Sequence, residues 1–533
     1  MVDRKQDGDL PDKQAVIVIH GMGEQKAMDT LRGFVDVVWS GDERQRPYGG
    51  GPQVWSKPDT ISDALELRRL TTNHNFDGVR TDFFEFYWAH LMSGTKISHV
   101  VSWVKLLLFR NRKDVPDQLY AAWIALWVLC GLITLLVVDL SLDEGSKFLG
   151  LTPFWTMLIG AVLLYLNTKI IAPIIGDAAR YLSPAPVNVG QRRAIRDEGA
   201  TLLRKLIECG DYRRIIVVGH SLGSIIGYDI LRDVWAEYNT RMAGDGPSDA
   251  LDRLQALANT RPLDREAYRE AQRDYLDELR ANGNKWCVSD FITMGSPLAH
   301  GNALLARTFD EFDERVAQRE FPVCPPLAET DSKGTARFSY DRTVGKGEEQ
   351  VRMAVPHHAA VFAPVRWTNI YFPCRNIIEG DLIGGPIEPV FGEGVEDVAV
   401  TPPGNRYLAH TRYWTIAPGG DRHAPGAHII ALREALKLAE DRPEQPQSSV
   451  ESEPVEPSGS RAASAAPEIV AQAGEAAAGA ADTQAGTPIR KSARASSPKG
   501  TTRKPAKAGP TTTRKTRAPR KPRKPKAPPS ASS

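Results

Sequence analysis

Short, uninterrupted runs of apolar and β-branched residues recur along this chain, separated by segments with helical spacing. That is the pattern of a sheet covered by helices on both faces. Ala15-Val16-Ile17-Val18-Ile19 is one such run and Ile215-Ile216-Val217-Val218 is another, and both are followed closely by glycine. Further strands are predicted over 81–89, over 288–297 (VSDFITMGSP) and over 366–372 (RWTNIYF). Helical spacing follows the second run from Ser224 to Leu231 and recurs over 302–319 and 427–438. An α/β fold with one interrupted sheet, spread over residues 12–440, accommodates these elements. The charged, helical-looking stretch 243–284 lies between two strands. It reads either as a cap over a site or as a solvated excursion.

Two apolar runs are too long for this scheme. Residues 118–138 and 148–168 carry no charged side chain, and each has about the 20 residues that cross a bilayer as a helix. The segment between them, 139–147, is short and net acidic. Arg110, Arg112 and Lys113 precede the first run, and Lys169 and Arg180 follow the second. Basic flanks belong on the cytoplasmic side, with the acidic turn outside. Trp123, Trp127 and Trp155 are candidates for interfacial anchoring. Strands lie on both sides of the insertion and must pair in one sheet, so an even number of crossings is required. A transmembrane hairpin over 118–168 meets that condition; a pair of apolar lid helices over a pocket and a hairpin dipping into one leaflet are the other readings. The hairpin predicts a multi-pass membrane protein with its α/β body in the cytoplasm, as in a bacterial inner membrane. Residues before Ala15 are polar and of mixed charge, unlike a secretory signal. The five cysteines follow no pattern, which suits a reducing compartment.

From 441 onward the composition changes to Pro, Ala, Ser, Thr and Gly without aromatic residues. Such a segment has too little apolar surface to offset its ordering entropy and is expected to be disordered. Between 490 and 526 it holds fifteen Lys and Arg and no acid, a concentration hidden by the whole-chain charge of +2. Such a tail suits anionic lipid or nucleic-acid phosphates as partners.

The chemistry centres on Gly219-His220-Ser221-Leu222-Gly223, a G-x-S-x-G sequence with a strand before it and a helix after it. In that context the serine sits on a sharp turn that lifts its hydroxyl above the sheet. The first strand ends in a second glycine turn, His20-Gly21-Met22-Gly23. Together these features resemble the α/β-hydrolase superfamily in its lipase and esterase branch. The longer string GHSLGSIIGYDIL is similar to the elbow of intracellular phospholipases A1 of the DDHD group, whose four-residue naming motif this chain lacks.

The resemblance implies Ser221 as nucleophile, with Gly21 and Met22 in the oxyanion turn and Leu222 supplying the other backbone N–H. It also implies the chain order Ser, acid, His. Asp381, in a glycine-rich loop after the 366–372 strand, is the expected acid, with Glu379 and Asp397 as rivals. His410 lies in an H-x-x-Y-W stretch and is the expected base; His423 and His428 are the others that follow Asp381. His220 is expected to shape the pocket. No cofactor is implied, and neither C-x-x-C nor H-E-x-x-H spacing suggests a metal. The expected activity is hydrolysis of an ester, most naturally of a lipid. The competing expectation is a non-catalytic membrane scaffold that keeps the fold and acts through its basic tail.

Overall fold

The computed structural model describes residues 13–438 except 23–25, 46–52, 63–66, 76, 93–104, 106–107, 143–152, 167–180, 183–185, 242–247, 331–333, 345–350, 377, 418 and 422. The tail predicted beyond 440 and both ends of the second apolar run lie outside the described residues.

A mostly parallel, eight-stranded sheet organises the described residues. Its strands are β1 (Lys13–Ile19), β2 (Val54–Pro58), β3 (Arg68–Thr72), β4 (Arg80–Phe86), β5 (Arg214–His220), β6 (Val288–Met294), β7 (Arg366–Tyr371) and β8 (Glu396–Ala399). Their spatial order is β8-β7-β6-β5-β1-β4-β3-β2. Pairing is parallel from β8 through β4 and antiparallel at the β4-β3-β2 edge.

Helices cover both faces, which is why the central strands read as continuous apolar runs. Ile17, Ile19, Ile215 and Val217 face one core, and Val16, Val18, Ile216 and Val218 face the other, alternating with the period of the pleat. The helices used below are α1 (Asp29–Val35), α2 (Asp117–Ser141), α3 (Pro153–Leu166), α4 (Pro186–Glu208), α5 (Leu222–Tyr238), α6 (Asp249–Ala258), α7 (Arg265–Ala281), α8 (Phe309–Ala317) and α9 (Ala427–Leu436). Buried residues of α4, α5 and α7 pack in the first core, and those of α1 and α9 in the second.

Two expectations change. The stretch 243–284, described from Ser248 onward, is neither a cap nor a solvated excursion. It folds as α6 and α7, and α7 buries Tyr268, Ala271, Gln272, Tyr275, Leu276 and Leu279 along one face. Gln272 Nε2 donates to the Phe362 and Val365 carbonyls at 2.8 and 3.0 Å, so even the polar member of that face is satisfied. Within 302–319 the helix is broken, and α8 starts afresh at Thr308. The Thr308 hydroxyl accepts from Glu311 N at 3.1 Å while the Glu311 carboxylate accepts from Arg307 N at 2.9 Å, a pair of caps that fixes the new start.

The first apolar run forms one continuous helix, α2, of 25 residues, about 37 Å at 1.5 Å per residue. Its outer part is bare: Val128, Leu132 and Val137 are each more than half exposed. It is the one helix among the described residues that is long and apolar enough to cross a membrane. The described part of the second run is α3, of 14 residues, with Phe154, Trp155 and Met157 exposed. Strand β1, before this insertion, lies between β4 and β5, so strands from both sides of it share one sheet.

Towards the start of the strands, away from the elbow, Asp290 on β6 and Arg366 on β7 form a buried ion pair at 2.7 Å. Ser289 Oγ donates to the same carboxylate at 2.6 Å. Replacing Arg366 by Leu leaves that carboxylate with only Arg214, more distant at 3.9 Å, and thermal unfolding of the purified protein should show a loss of roughly 2–4 kcal/mol, somewhat less than for a buried charge left wholly unpaired. A loss below about 1 kcal/mol would mean that Asp290 does not depend on Arg366.

Candidate active site

Ser221 follows the last residue of β5 with φ 51° and ψ −128°, a backbone conformation that few non-glycine residues adopt. Its neighbours explain how the turn is held. A Cβ on Gly219 would lie 2.5 Å from Ser224 Cα, and one on Gly223 would lie 2.3 Å from the Ile19 carbonyl oxygen. Both glycines are therefore required by close backbone approach. Ser221 N donates to the Met294 carbonyl at 3.0 Å, which ties the turn to the end of β6. The hydroxyl consequently stands at the edge where the parallel strands end, the edge where open α/β sheets place their sites.

Asp381 and His410 come to this serine from far along the chain. His410 Nε2 lies 2.8 Å from Ser221 Oγ, and His410 Nδ1 lies 2.9 and 3.0 Å from the two oxygens of Asp381. A carboxylate can only accept. In the neutral ring Nδ1–H therefore donates to Asp381, and Nε2 is left to accept the Ser221 proton. Asp381 is fully buried yet well supplied with donors: Ile383 N at 2.9 Å and Tyr413 Oη at 2.8 Å. Burial alone would raise its pKa, but His410 and these hydrogen bonds outweigh it and hold the carboxyl below its usual range. Gly295 and Gly384 make room: a Cβ on either would come within 2.9 and 2.7 Å of Asp381 Oδ2.

The rival residues lie elsewhere. Asp397 accepts from Asn369 Nδ2, Ile387 N and Glu388 N at 2.7, 3.0 and 2.8 Å, and so closes the loop after β7. Glu379 pairs with Arg375 and Arg406. His428 is buried on α9 with Nε2 on the Thr415 carbonyl at 3.0 Å, and His423 is exposed.

The glycine turn after β1 meets the elbow directly. A Cβ on Gly21 would lie 2.9 Å from Ser221 Cβ, so the backbone there touches the serine. His20 orients that backbone. Its Nδ1 donates to the Gly21 carbonyl at 2.8 Å. In a trans peptide the following N–H points the opposite way, so this bond sets the direction of Met22 N–H. The His20 ring stacks on Trp88 at 5.0 Å, and Trp88 Nε1 donates back to the His20 carbonyl at 3.0 Å. Leu222 begins α5, where backbone N–H groups lack helical partners. Gly23 lies outside the described residues. His220 does more than shape a wall: its Nε2 donates to the His410 carbonyl at 2.9 Å and holds the turn that carries that ring.

Two contributors have roles that the sequence does not reveal, although Tyr413 is the tyrosine of the H-x-x-Y-W stretch. Tyr413, three residues after His410, braces Asp381 as described. Gln118, in the first turn of α2, donates through Nε2 to the Gly384 carbonyl at 2.9 Å and so reaches the acid loop. A largely apolar cavity of about 300 Å³ opens beside Met22 and Leu222. The set can perform acyl transfer: the imidazole removes the Ser221 proton, the alkoxide attacks a carbonyl, and turn N–H groups face the developing oxyanion.

Burial keeps several histidines neutral. His20, His300 and His357 are pushed down to about 4 and His220 to about 3, desolvation being the largest cause in each. In the unfolded chain these rings protonate near pH 6.5, so below that value unfolding takes up protons. Their contribution to stability is complete above about pH 6.5 and is lost as pH falls towards about 4. The melting temperature should therefore drop steeply between pH 7 and pH 4.5, with three of the four groups (His20, His220 and His300) beside the site. A melting temperature that stays flat over that range would contradict the burial of these rings as neutral groups.

Comparison of the chain with protein families, with curated proteins and with solved structures returns no match.

Proposed function

We propose that this protein is a membrane-anchored serine hydrolase of α/β-hydrolase type that cleaves an ester, most naturally of a lipid. The observation that carries this reading is the unbroken relay from Ser221 Oγ through His410 to Asp381, with 2.8 and 2.9 Å steps. The glycine turn against Ser221 and the strand order, with the HGMG strand beside the elbow strand, support the same reading. In the proposed reaction Ser221 forms an acyl-enzyme and His410 returns the proton to the leaving alcohol. Water then releases the acid by the reverse sequence. Asp381 keeps the imidazole tautomer and stabilises its charged form.

Attachment to the membrane is proposed through α2 and the segment that contains α3, as a hairpin with the body on the cytoplasmic side of a bacterial inner membrane. The bare apolar surface of α2 supports it. So does the pairing of β1 with β5, strands on either side of the insertion, which requires the chain to return to the side from which it left. The fifteen cations of 490–526 would add attraction to an anionic leaflet.

With a p-nitrophenyl ester as substrate, Ser221→Ala and His410→Ala should each lower kcat by roughly 10⁴ or more, as losses within such a unit do. The two together should cost little more than either alone. Activity that survives Ser221→Ala would remove this serine from the mechanism. The protein should also stay in the membrane fraction through high-salt and carbonate washes. Release by salt alone would leave only the basic tail as an anchor.

A further inference from the structure

The cavity beside Ser221 is walled in part by the helix proposed to enter the membrane. On the body side it is lined by Met22, Leu222 and Leu382, and on the helix side by Leu119, Ala122, Trp123 and Leu126 of α2. Those four positions are spaced i, i+3, i+4 and i+7, a single helix face. They are half-buried, whereas Ile124, Val128 and Leu132 on other faces are exposed.

Three tethers fix α2 and its approach against the body. Gln118 Nε2 donates to the Gly384 carbonyl at 2.9 Å, Arg110 Nη2 donates to the Ala306 carbonyl at 2.8 Å, and Asp114 Oδ1 accepts from Phe309 N at 3.2 Å. The wall is therefore a built part of the site.

Resting on the hydrolase reading above, we infer that α2 forms the acyl-chain wall of the site and that Ala122 sets the chain length accepted. Met22 and Leu222, which flank the position of the reacting carbonyl, begin the cavity, and Leu126 lies at its far end along the helix. What leaves the carbonyl in that direction must be apolar, because the lining offers a saturated chain almost nothing but carbon. A volume of about 300 Å³ is roughly twenty times what one water molecule needs by the same measure, which is room for a chain well beyond acetyl. The substrate class is thus an ester of a medium or long acyl chain, whose first carbons lie along α2. The stripe continues from Leu126 into the bare part of the helix, so the same element that anchors the protein also guides the chain from the bilayer to Ser221.

The test uses the full-length protein in detergent and the ratio of kcat/KM for decanoyl to butyryl p-nitrophenyl esters. Ala122→Trp should lower this ratio by at least about tenfold, since apolar pockets discriminate by that much for even small mismatches. Leu126→Trp, at the far end, should lower it less, and Val128→Trp, on an exposed face, should leave it as in the parent. A fluorophosphonate probe that still labels Ser221 establishes that each variant keeps its site. If Ala122→Trp loses labelling, Leu126→Trp decides in its place. A ratio within twofold of the parent in labelled Ala122→Trp, or in labelled Leu126→Trp when it stands in, would overturn the acyl wall and leave the hydrolase reading intact. Absence of Ser221 labelling in the parent protein would remove both.

Discussion

The close approach of two backbones at the end of the sheet is the constraint on which the rest depends. Gly223 sits so near the end of β1 that a methyl group there would lie 2.3 Å from one carbonyl oxygen and 2.5 Å from the next. Only glycine permits that approach, and only that approach sets Ser221 against the glycine turn that follows β1. The positive φ of Ser221 and the direct start of α5 belong to the same geometry. Everything that reaches the serine from elsewhere, His410 from one loop and Asp381 from another, meets a hydroxyl already positioned by main chain.

Much of this was legible in the sequence, for identifiable reasons. Strands β1 and β5 are buried on both faces and announce themselves as continuous apolar runs, while β6 and β7, equally buried, mix polar side chains with β-branched and aromatic ones. The edge strand β2 is largely exposed and β8 only four residues long, and neither carries such a pattern. Helix α7 was harder to read for another reason. Its buried face includes Tyr268, Gln272 and Tyr275, polar-tipped residues that do not stand out among the many charges of 265–281. In the site, Ser221, Asp381 and His410 fall together as expected from motif and order. The roles of His20, Tyr413 and Gln118 could not be read, since each acts through a hydrogen bond that only the fold creates. Gln118 and the Gly384 carbonyl are 266 residues apart in the chain.

The apolar segment changes meaning when seen in place. Composition marked 118–138 as a membrane span or as one of two apolar lid helices over a pocket. In the structure its first turns lie against the loop that carries Asp381, while Val128, Leu132 and Val137 farther along are more than half exposed. An anchor joined to the body by a flexible linker would serve equally well to hold it at a surface. The approach to α2 is instead held by Gln118, Arg110 and Asp114, so that in the proposed reading the wall of the site and the membrane attachment are one helix. Burial around the site follows the same economy of water: His20, His220 and His300 are all kept neutral by desolvation.

The central claim is that Ser221 is a nucleophile activated by the relay to His410 and Asp381. Peptide mapping by mass spectrometry of the full-length protein after reaction with a fluorophosphonate tests it most directly. The account predicts a single phosphonylated serine, Ser221, in the parent protein, and labelling slowed by orders of magnitude in His410→Ala. An adduct on another residue, or labelling of Ser221 at the parent rate without His410, would contradict it.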